Sequence, residues 1–406
     1  MTTRSQEYPL APPKRNVNKG IILFFLCISF ASLLYSLFPA LNYLKYATLP
    51  CSLLVIYSQL SNGRNISILG SGVSRAFLLL SVLSLFSIIF TRSTYTAIDL
   101  FIYFCIAAFS ISCKNIQIPI EKFFYYFCLC ATLWAAGQIL THGLSSVTLQ
   151  EKTSYVSSSS SSLKFSIACY IFSLFSIYFL WTKQRLLLVA ALIGVIFTSK
   201  RAAFVALLAI FIIYLSPLKF QKLVFNRPFV ISLNLAWLYF SIFITSDPFS
   251  NFTQENFGLS ANALTMGRSA LYQAGLELTS WSNLIVGSGI GSTYIHLSSI
   301  LDFQNFEEIE KILIHNEVLR LYIEIGLALS LLTIATIYPP SKMLKNKDLE
   351  EHYKITCSCL LFLNITLFFD NVLVYSLVWY VLVIISETTK TNSAFSATLI
   401  KSRKTY

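Results

Sequence analysis

The sequence predicts an all-α polytopic membrane protein with about 12 membrane-spanning helices and one large, partly helical loop outside the membrane. Three observations support this fold class. Of the 406 residues, 55% are apolar and 12% are charged, whereas soluble domains carry roughly 25% charged residues. Apolar segments long enough to cross a bilayer recur along the chain, and basic residues cluster between them. This composition excludes a soluble globular enzyme and a disordered chain.

Twelve apolar segments are candidate spans. They cover residues 20–38, 47–60, 76–91, 95–113, 123–141, 165–182, 186–199, 202–217, 228–246, 314–338, 355–369 and 372–387. The first is longer than the apolar stretch of a cleaved signal peptide, so we expect it to be retained as a span. The resulting organisation is a cytoplasmic tail (1–19), spans one to nine (20–246), a large outer loop (247–313), spans ten to twelve (314–387) and a basic cytoplasmic tail (388–406).

The distribution of basic residues predicts the orientation. An even number of spans places both termini in the cytoplasm, and the segments on that side then carry 21 of the 30 lysines and arginines. This asymmetry agrees with the positive-inside rule. The net charge of +12 therefore indicates orientation signals and contact with anionic lipids rather than nucleic-acid binding.

Two outer loops are distinctive. The serine run Ser157–Ser162 predicts a flexible loop over about 142–164. The large loop contains an amphipathic stretch around Arg268–Leu278, a glycine-rich turn that begins at Gly287, and an acidic segment around Glu307. The glycine spacing does not match a dinucleotide fingerprint, so close backbone approach or a hinge is the better interpretation.

Charged residues between or inside apolar segments are the candidate functional residues, because they are costly there. Lys200 and Arg201 are either an ordinary cytoplasmic loop pair or, as the parity of the spans favours, an outward-facing anion site. Arginine suits the second role because its guanidinium binds phosphate through two parallel hydrogen bonds. Arg268 is either a solvated loop charge or a second such residue.

A polar stretch begins the tenth span. It contains His315, Asn316, Glu317, Arg320 and Glu324, whose helical spacing allows Arg320 to pair with both glutamates. We expect this stretch to line a polar, water-filled cavity at the outer surface. Further along the chain, Asp370 interrupts the last apolar stretch, either as part of a hairpin turn or as a member of the same site. Asp99, at the outer end of the fourth span, is a weaker candidate.

Three motifs together resemble the bacterial O-antigen polymerase and O-antigen ligase superfamily. They are Phe197-Thr-Ser-Lys-Arg-Ala-Ala203, Gly267-Arg268 followed after 18 residues by Gly287-x-Gly-x-Gly291, and His315-Asn316 followed after nine residues by Gly326. The late Asp370 resembles an acidic position of the ligases. The resemblance covers roughly residues 190–375, and the first half of the chain is similar in its hydropathy alone.

The resemblance implies a GT-C-like fold and a glycosyltransferase of the bacterial inner membrane that acts at the periplasmic face in lipopolysaccharide or related polysaccharide biosynthesis. The expected activity is that of a polymerase, which transfers glycan from undecaprenyl diphosphate to a lipid-linked repeat unit. A chain-length regulator and a flippase are further candidate partners. An O-antigen ligase, which transfers the glycan to lipid A–core, is the main alternative. A lipid-linked oligosaccharide flippase or other transporter and a non-catalytic scaffold are less favoured.

The expected roles follow from this resemblance and from side-chain chemistry. His315 is the candidate general base, and Asp370 either orients it or acts as the base. Arg201, Arg268 and Lys200 are candidates for binding the diphosphate, with Asn316, Glu317, Arg320 and Glu324 in support. Attack opposite the diphosphate would invert the anomeric centre. No Asp-x-Asp element faces outward, so we expect this reaction to need no metal or other cofactor.

Overall fold

The computed structural model describes residues 17–31, 44–63, 71–91, 94–114, 118–142, 161–198, 200–265, 267–300, 314–340 and 349–404. These residues form helices and their connections, and they contain no β-strand. The predicted all-helical class is therefore confirmed for the described part of the chain.

The helices that coincide with the 12 apolar segments are α1 (Val17–Ala31), α2 (Thr48–Ser61), α3 (Gly72–Thr91), α4 (Thr94–Ser112), α5 (Ile120–His142), α6 (Ser161–Trp181), α7 (Arg185–Thr198), α8 (Arg201–Leu215), α10 (Arg227–Ile244), α15 (Glu317–Ile337), α16 (Glu350–Leu367) and α17 (Ser376–Lys404). A short helix, α9 (Leu218–Val224), precedes α10. The large loop contributes α11 (Asp247–Phe257), α12 (Ala261–Leu264), α13 (Arg268–Leu276), a 3₁₀ turn at Trp281–Leu284 and α14 (Ser292–Ile300).

Within the described residues, four helices are long and apolar enough to cross a membrane. They are α3 over Gly72–Phe90, α4, α10 and α15. Shorter apolar helices occupy Lys19–Phe30, Ile167–Trp181, α7 and α8. The chain is therefore an integral membrane protein by the length and composition of its helices, and the total of 12 spans stays a prediction.

The burial pattern separates an inner core from a surface suited to lipid. The first three turns of α17 and most of α16 are buried, with large side chains such as Trp379 and Tyr380 fully enclosed. By contrast, α7 and α8 expose Leu186 and Leu215 at 88% and 80%. Apolar side chains of this size are unfavourable in water but suit a hydrocarbon environment. The polar candidates are carried by the helices and connections that pack around α15, α16 and α17.

The large loop is partly helical in its described portion, and local sequence explains where its first helix begins and ends. Pro248 lies in the first turn of α11, where a missing N–H is tolerated, and Gly258 ends the helix at φ 64°. The acidic segment around Glu307 and the serine positions 157–160 lie outside the described residues. Helix α6 already begins at Ser161, inside the predicted serine loop.

Candidate active site

Asp370 is the point at which three distant parts of the chain meet. It follows α16 and is 1% exposed. Its Oδ2 accepts hydrogen bonds from the Tyr170 hydroxyl of α6 at 2.8 Å and from the Lys200 ammonium at 2.5 Å. Its Oδ1 accepts a bond from the Tyr375 hydroxyl at 3.2 Å and lies 3.4 Å from Nδ1 of His315. Lys200 and His315, two predicted site residues, therefore both contact Asp370, which is a third. Positions 200 and 315 lie at the same end of the bundle.

The charges around Asp370 keep its carboxyl group ionised. Burial by itself would raise the pKa of this group. The Lys200 ammonium and the hydrogen bond from the His315 ring outweigh that effect, and the pKa of Asp370 lies well below its ordinary value. Asp370 is therefore a fixed anion in the segment between α16 and α17. An anion in this place suits the orientation of an imidazole better than the removal of a proton from substrate.

His315 combines a constrained backbone with an accessible ring. Its φ is 51°, a left-handed conformation that few non-glycine residues adopt. The next residue, Asn316, caps α15 by accepting the Leu319 amide at 3.0 Å, and it also donates to the Ser241 hydroxyl at 2.7 Å. The His315 side chain is 28% exposed. The turn therefore fixes the backbone at the start of α15 and leaves part of the ring open to a substrate.

The Nδ1 atom of His315 has two neighbours with opposite requirements. Besides Oδ1 of Asp370, the Asn371 side-chain amide nitrogen lies 3.4 Å away. A protonated Nδ1 bonds to the carboxylate, whereas an unprotonated Nδ1 accepts from the amide. The negative charge of Asp370 favours the first tautomer. That tautomer leaves Nε2 with a free lone pair, as a general base requires.

The two arginines lie around this cluster without joining it directly. Arg201 is the first residue of α8, next to Lys200, and is exposed. Arg268 begins α13 and is half-buried. Its charge acts on the Tyr272 hydroxyl one turn along, and the Asn316 side chain also influences that hydroxyl. Tyr272 therefore lies between Arg268 and the residue next to His315.

Glu317, Arg320 and Glu324 form a different kind of site from the one the sequence suggests. Their side chains are at most 1% exposed, so they do not line an open water-filled cavity. Arg320 instead lies among both glutamates and Asp99 of α4, with its Nη2 3.3 Å from Asp99 Oδ2. The weaker candidate, Asp99, therefore belongs to this buried cluster.

The glycine-rich turn docks against a break in α15. Gly326 interrupts that helix with φ 79° and ψ 165°. The amides of Ser288 and Gly289 donate to the carbonyls of Ile323 and Glu324 at 2.9 and 2.8 Å. The broken helix leaves backbone carbonyls without helical partners, and the turn supplies donors for them. Close backbone approach is thus the role of this glycine motif.

The same turn is also tied to α3 and α4. The Ile290 amide donates to the Ser87 hydroxyl at 2.9 Å, and the Thr96 hydroxyl donates to the Ile290 carbonyl at 2.9 Å. A Cβ on Gly291 would lie 2.5 Å from Oγ1 of Thr96. The large loop is therefore fastened to the bundle on the side of α15 that carries the buried cluster.

Gly287→Ala is expected to destabilise the protein by about 1–3 kcal/mol, because a methyl group there overpacks the docked turn. The added Cβ would lie 2.2 Å from the carbonyl carbon of Glu324, which is backbone and cannot rotate away. Thermal unfolding of the purified proteins measures the effect. Gly20→Ala is the matched control, because nothing lies within 4 Å of its Cβ position. Equal unfolding temperatures for the two variants would contradict the docking.

Sequence reasoning missed Tyr170, Tyr375 and Ser241, which hold Asp370 and Asn316 in place. The chain has 22 tyrosines, and nothing in the local sequence of Tyr170 distinguishes it from tyrosines that pack in the core. Tyr375 lies five residues after Asp370, and that proximity is the only signal in the sequence. Among the described residues, no group of three or more His, Cys, Asp or Glu side chains is placed to hold a metal ion.

The structure thus defines a class: a helical membrane protein in which loop and helix-end residues form a charged site at one end of the bundle. Residues 186–334, a little over a third of the chain, match the family model described as O-antigen ligase, and this segment is similar to the O-antigen polymerase and ligase superfamily. The matched segment contains Lys200, Arg201, Arg268 and His315, and Asp370 lies beyond it. No curated protein and no solved structure matches the chain significantly.

Proposed function

We propose that the protein is a polysaccharide polymerase of the bacterial inner membrane. It transfers the growing glycan from undecaprenyl diphosphate to a lipid-linked repeat unit at the periplasmic face. The observation that carries the proposal is the contact of Asp370 with both His315 and Lys200, which places an oriented imidazole beside the Lys200–Arg201 pair. The family match to residues 186–334 supports the glycan class of the donor.

In the proposed reaction, the acceptor hydroxyl attacks the anomeric carbon of the donor sugar. The new bond joins the hydroxyl oxygen to that carbon, and the bond from the carbon to the diphosphate oxygen breaks. Nε2 of His315 takes the hydroxyl proton, while Asp370 holds Nδ1–H and stabilises the imidazolium. The undecaprenyl diphosphate leaves with the electron pair, and attack from the opposite side inverts the anomeric centre.

The arginines are proposed to stabilise the leaving diphosphate. Arg201 is exposed beside the cluster, and the charge of Arg268 acts on Tyr272, whose hydroxyl Asn316 also influences. Fixed cations at a developing anion act most strongly where water is excluded. The Lys200 ammonium is engaged by Asp370 at 2.5 Å, so its share in diphosphate binding is secondary to that of the arginines. Because these cations can carry the charge, we propose a metal-independent reaction.

Arg201→Ala and Arg268→Ala are each expected to lower elongation about 10²- to 10³-fold, the typical effect of removing one donor to a developing anion. Arg201→Lys and Arg268→Lys should recover part of that loss, because a lysine keeps the charge but not the two-point geometry. Elongation of purified lipid-linked repeats measures this effect. Lys219→Ala, which removes an exposed lysine on α9, is the control. Wild-type glycan length from both arginine-to-alanine variants would contradict the assignment.

The family description favours a second candidate, an O-antigen ligase that transfers the finished glycan to lipid A–core. The donor, base and leaving group would be the same, so the site residues do not separate the two activities. A deletion strain does separate them. Loss of a polymerase leaves single repeats on lipopolysaccharide, whereas loss of a ligase leaves none.

In vitro elongation tests the proposal directly. Purified protein is incubated with lipid-linked repeat units in the presence of EDTA, and products are resolved by length. The expected result is a ladder of longer lipid-linked glycans. Failure to extend the repeats, together with transfer of glycan to added lipid A–core, would replace the polymerase with the ligase. Activity that requires added Mg²⁺ would overturn the metal-independent reaction.

A further inference from the structure

The buried cluster around Arg320 connects three helices. Its guanidinium Nη2 donates to the Tyr103 hydroxyl at 2.5 Å and to Oδ2 of Asp99 at 3.3 Å, both on α4. Nη1 donates to the Tyr294 hydroxyl of α14 at 3.1 Å. Glu324 accepts a hydrogen bond from the Thr293 hydroxyl of α14. The cluster therefore joins the outer loop, α4 and the first half of α15.

The two glutamates face the same nitrogen of Arg320. Oε2 of Glu317 lies 3.2 Å from Nε, and Oε2 of Glu324 lies 3.4 Å from it. Within the described part of the chain, Nε and both of these oxygens lack an aligned hydrogen bond. Oε1 of Glu317 also has no partner there, although the side chain is completely buried. Both oxygens of this carboxyl group are thus buried without a donor.

The charge count makes this arrangement untenable if every carboxyl group is ionised. Asp99, Glu317 and Glu324 would carry three negative charges against the single positive charge of Arg320. An uncompensated buried charge costs several kcal/mol even after the protein relaxes, and inside a membrane-spanning bundle water cannot compensate it. Uptake of one proton lowers this excess directly, from two net negative charges to one. Among the three acids, Glu317 lacks the hydrogen-bond donors that an anion requires, whereas Asp99 and Glu324 each have one.

We propose that this cluster is a proton-binding site in which Glu317 is held as a neutral carboxylic acid. The proton comes from solvent during folding and lowers the repulsion between the two glutamates that share Nε of Arg320. The charged and titratable groups facing Glu317 are Arg320 and Glu324 of its own helix, Asp99 and Tyr103 of α4, Tyr294 of α14, and Asp370 beyond α16.

The neutral acid has a positioning role for the site described above, and this step rests on the proposed function. Glu317 is the first residue of α15, directly after the Asn316 cap and two residues after His315. Ionisation of Glu317 would add a second glutamate anion beside the same nitrogen of Arg320 and strain the first turn of α15. The turn that carries His315 would then shift with it.

The test compares Glu317→Gln with Glu317→Ala. Glutamine has nearly the shape of the neutral acid and cannot ionise, whereas alanine leaves a buried cavity. We expect Glu317→Gln to keep the wild-type unfolding temperature at pH 6 and Glu317→Ala to lose stability. The infrared carbonyl band of a protonated carboxyl group should be present in the wild-type protein and lost in Glu317→Gln. Instability of Glu317→Gln equal to that of Glu317→Ala, or an unchanged infrared band, would overturn the proposal.

The pH dependence provides an independent readout. An exposed glutamate in the unfolded chain is ionised at neutral pH, while the folded protein holds the proton. Raising the pH therefore favours the unfolded chain, and wild-type stability should fall as the pH rises above the ordinary titration range of an exposed glutamate. Glu317→Gln should flatten this fall and should also retain elongation at high pH where the wild-type protein loses it. The same fall in both proteins would contradict the proton site.

The two proposals fail in distinguishable ways. The unfolding and infrared measurements require no substrate, so they test the proton site even if the wild-type protein does not extend a lipid-linked glycan. Glu324→Gln is the matched variant, because it changes the partner that already accepts the Thr293 hydroxyl bond. Its stability should fall where that of Glu317→Gln does not. Equal loss in both variants would overturn the assignment of the proton to Glu317.

Discussion

Replacing His315 is expected to lower elongation of the lipid-linked glycan about 10²- to 10⁴-fold, the usual contribution of a general base. The choice of variant matters because His315 has φ 51°. Alanine adds a backbone cost in this left-handed region, whereas asparagine tolerates it comparatively well. His315→Asn therefore removes the imidazole with the least disturbance of the turn. The initial rate of elongation in vitro is the measurement.

The control for this prediction is His296→Ala. His296 lies on α14, away from the Asp370 cluster, and its Nε2 is 3.6 Å from Oε2 of Glu277. It tests whether removal of any histidine from the outer region reduces activity. We expect its elongation rate to stay near that of the wild-type protein. Long glycan chains at the normal rate from His315→Asn would remove the general-base assignment.

The sequence predicts the helices well because their signal is local. Each apolar segment must satisfy its own backbone hydrogen bonds, and a helix does this within one segment. The predicted segment 186–199, for example, coincides with α7 at Arg185–Thr198. The sequence predicts the number of membrane-crossing helices less well. Helices α7 and α8 are shorter than a usual span, and their depth in the membrane depends on packing against other helices.

The candidate site was only partly predictable for a different reason. Lys200, His315 and Asp370 were identifiable because ionisable side chains stand out against apolar surroundings. The contact of Asp370 with Tyr170 joins residues 200 positions apart, and no local pattern encodes it. Likewise, the spacing of Arg320 and Glu324 predicts their pairing but not the burial that results from the approach of α4 and α14.

Gly326, the last residue of the motif that begins at His315, has a structural role that the spacing of the motif does not reveal. A Cβ on Gly326 would lie 2.8 Å from the carbonyl oxygen of Ile285, which is backbone of the docked turn. The glycine therefore provides both the positive φ of the break and the space for the turn. The nine-residue spacing between Asn316 and Gly326 sets the length of the half-helix that separates His315 from this docking point.

Asp370→Asn is the second substitution with a large expected effect, because the buried carboxylate holds four groups at once. Its partners are Tyr170, Lys200, His315 and Tyr375. We expect a stability loss of about 1–3 kcal/mol, below that of a fully buried ion pair, because Lys200 keeps 26% of its side chain exposed. We also expect at least a roughly 10²-fold loss of elongation, because an uncharged amide no longer fixes the His315 tautomer.

The double variant Lys200→Met/Asp370→Asn separates these two effects. It removes both charges together, so no unpaired ammonium remains, and the unfolding temperature should return toward the wild-type value. Elongation should stay low, because His315 still lacks its anionic partner. Recovery of elongation in the double variant would show that Asp370 has a purely structural role.

In the wild-type protein the low pKa of Asp370 keeps the carboxylate ionised below its usual titration range. The stabilising contribution of this carboxylate should persist as the pH falls from 7 to 5 and disappear only in stronger acid.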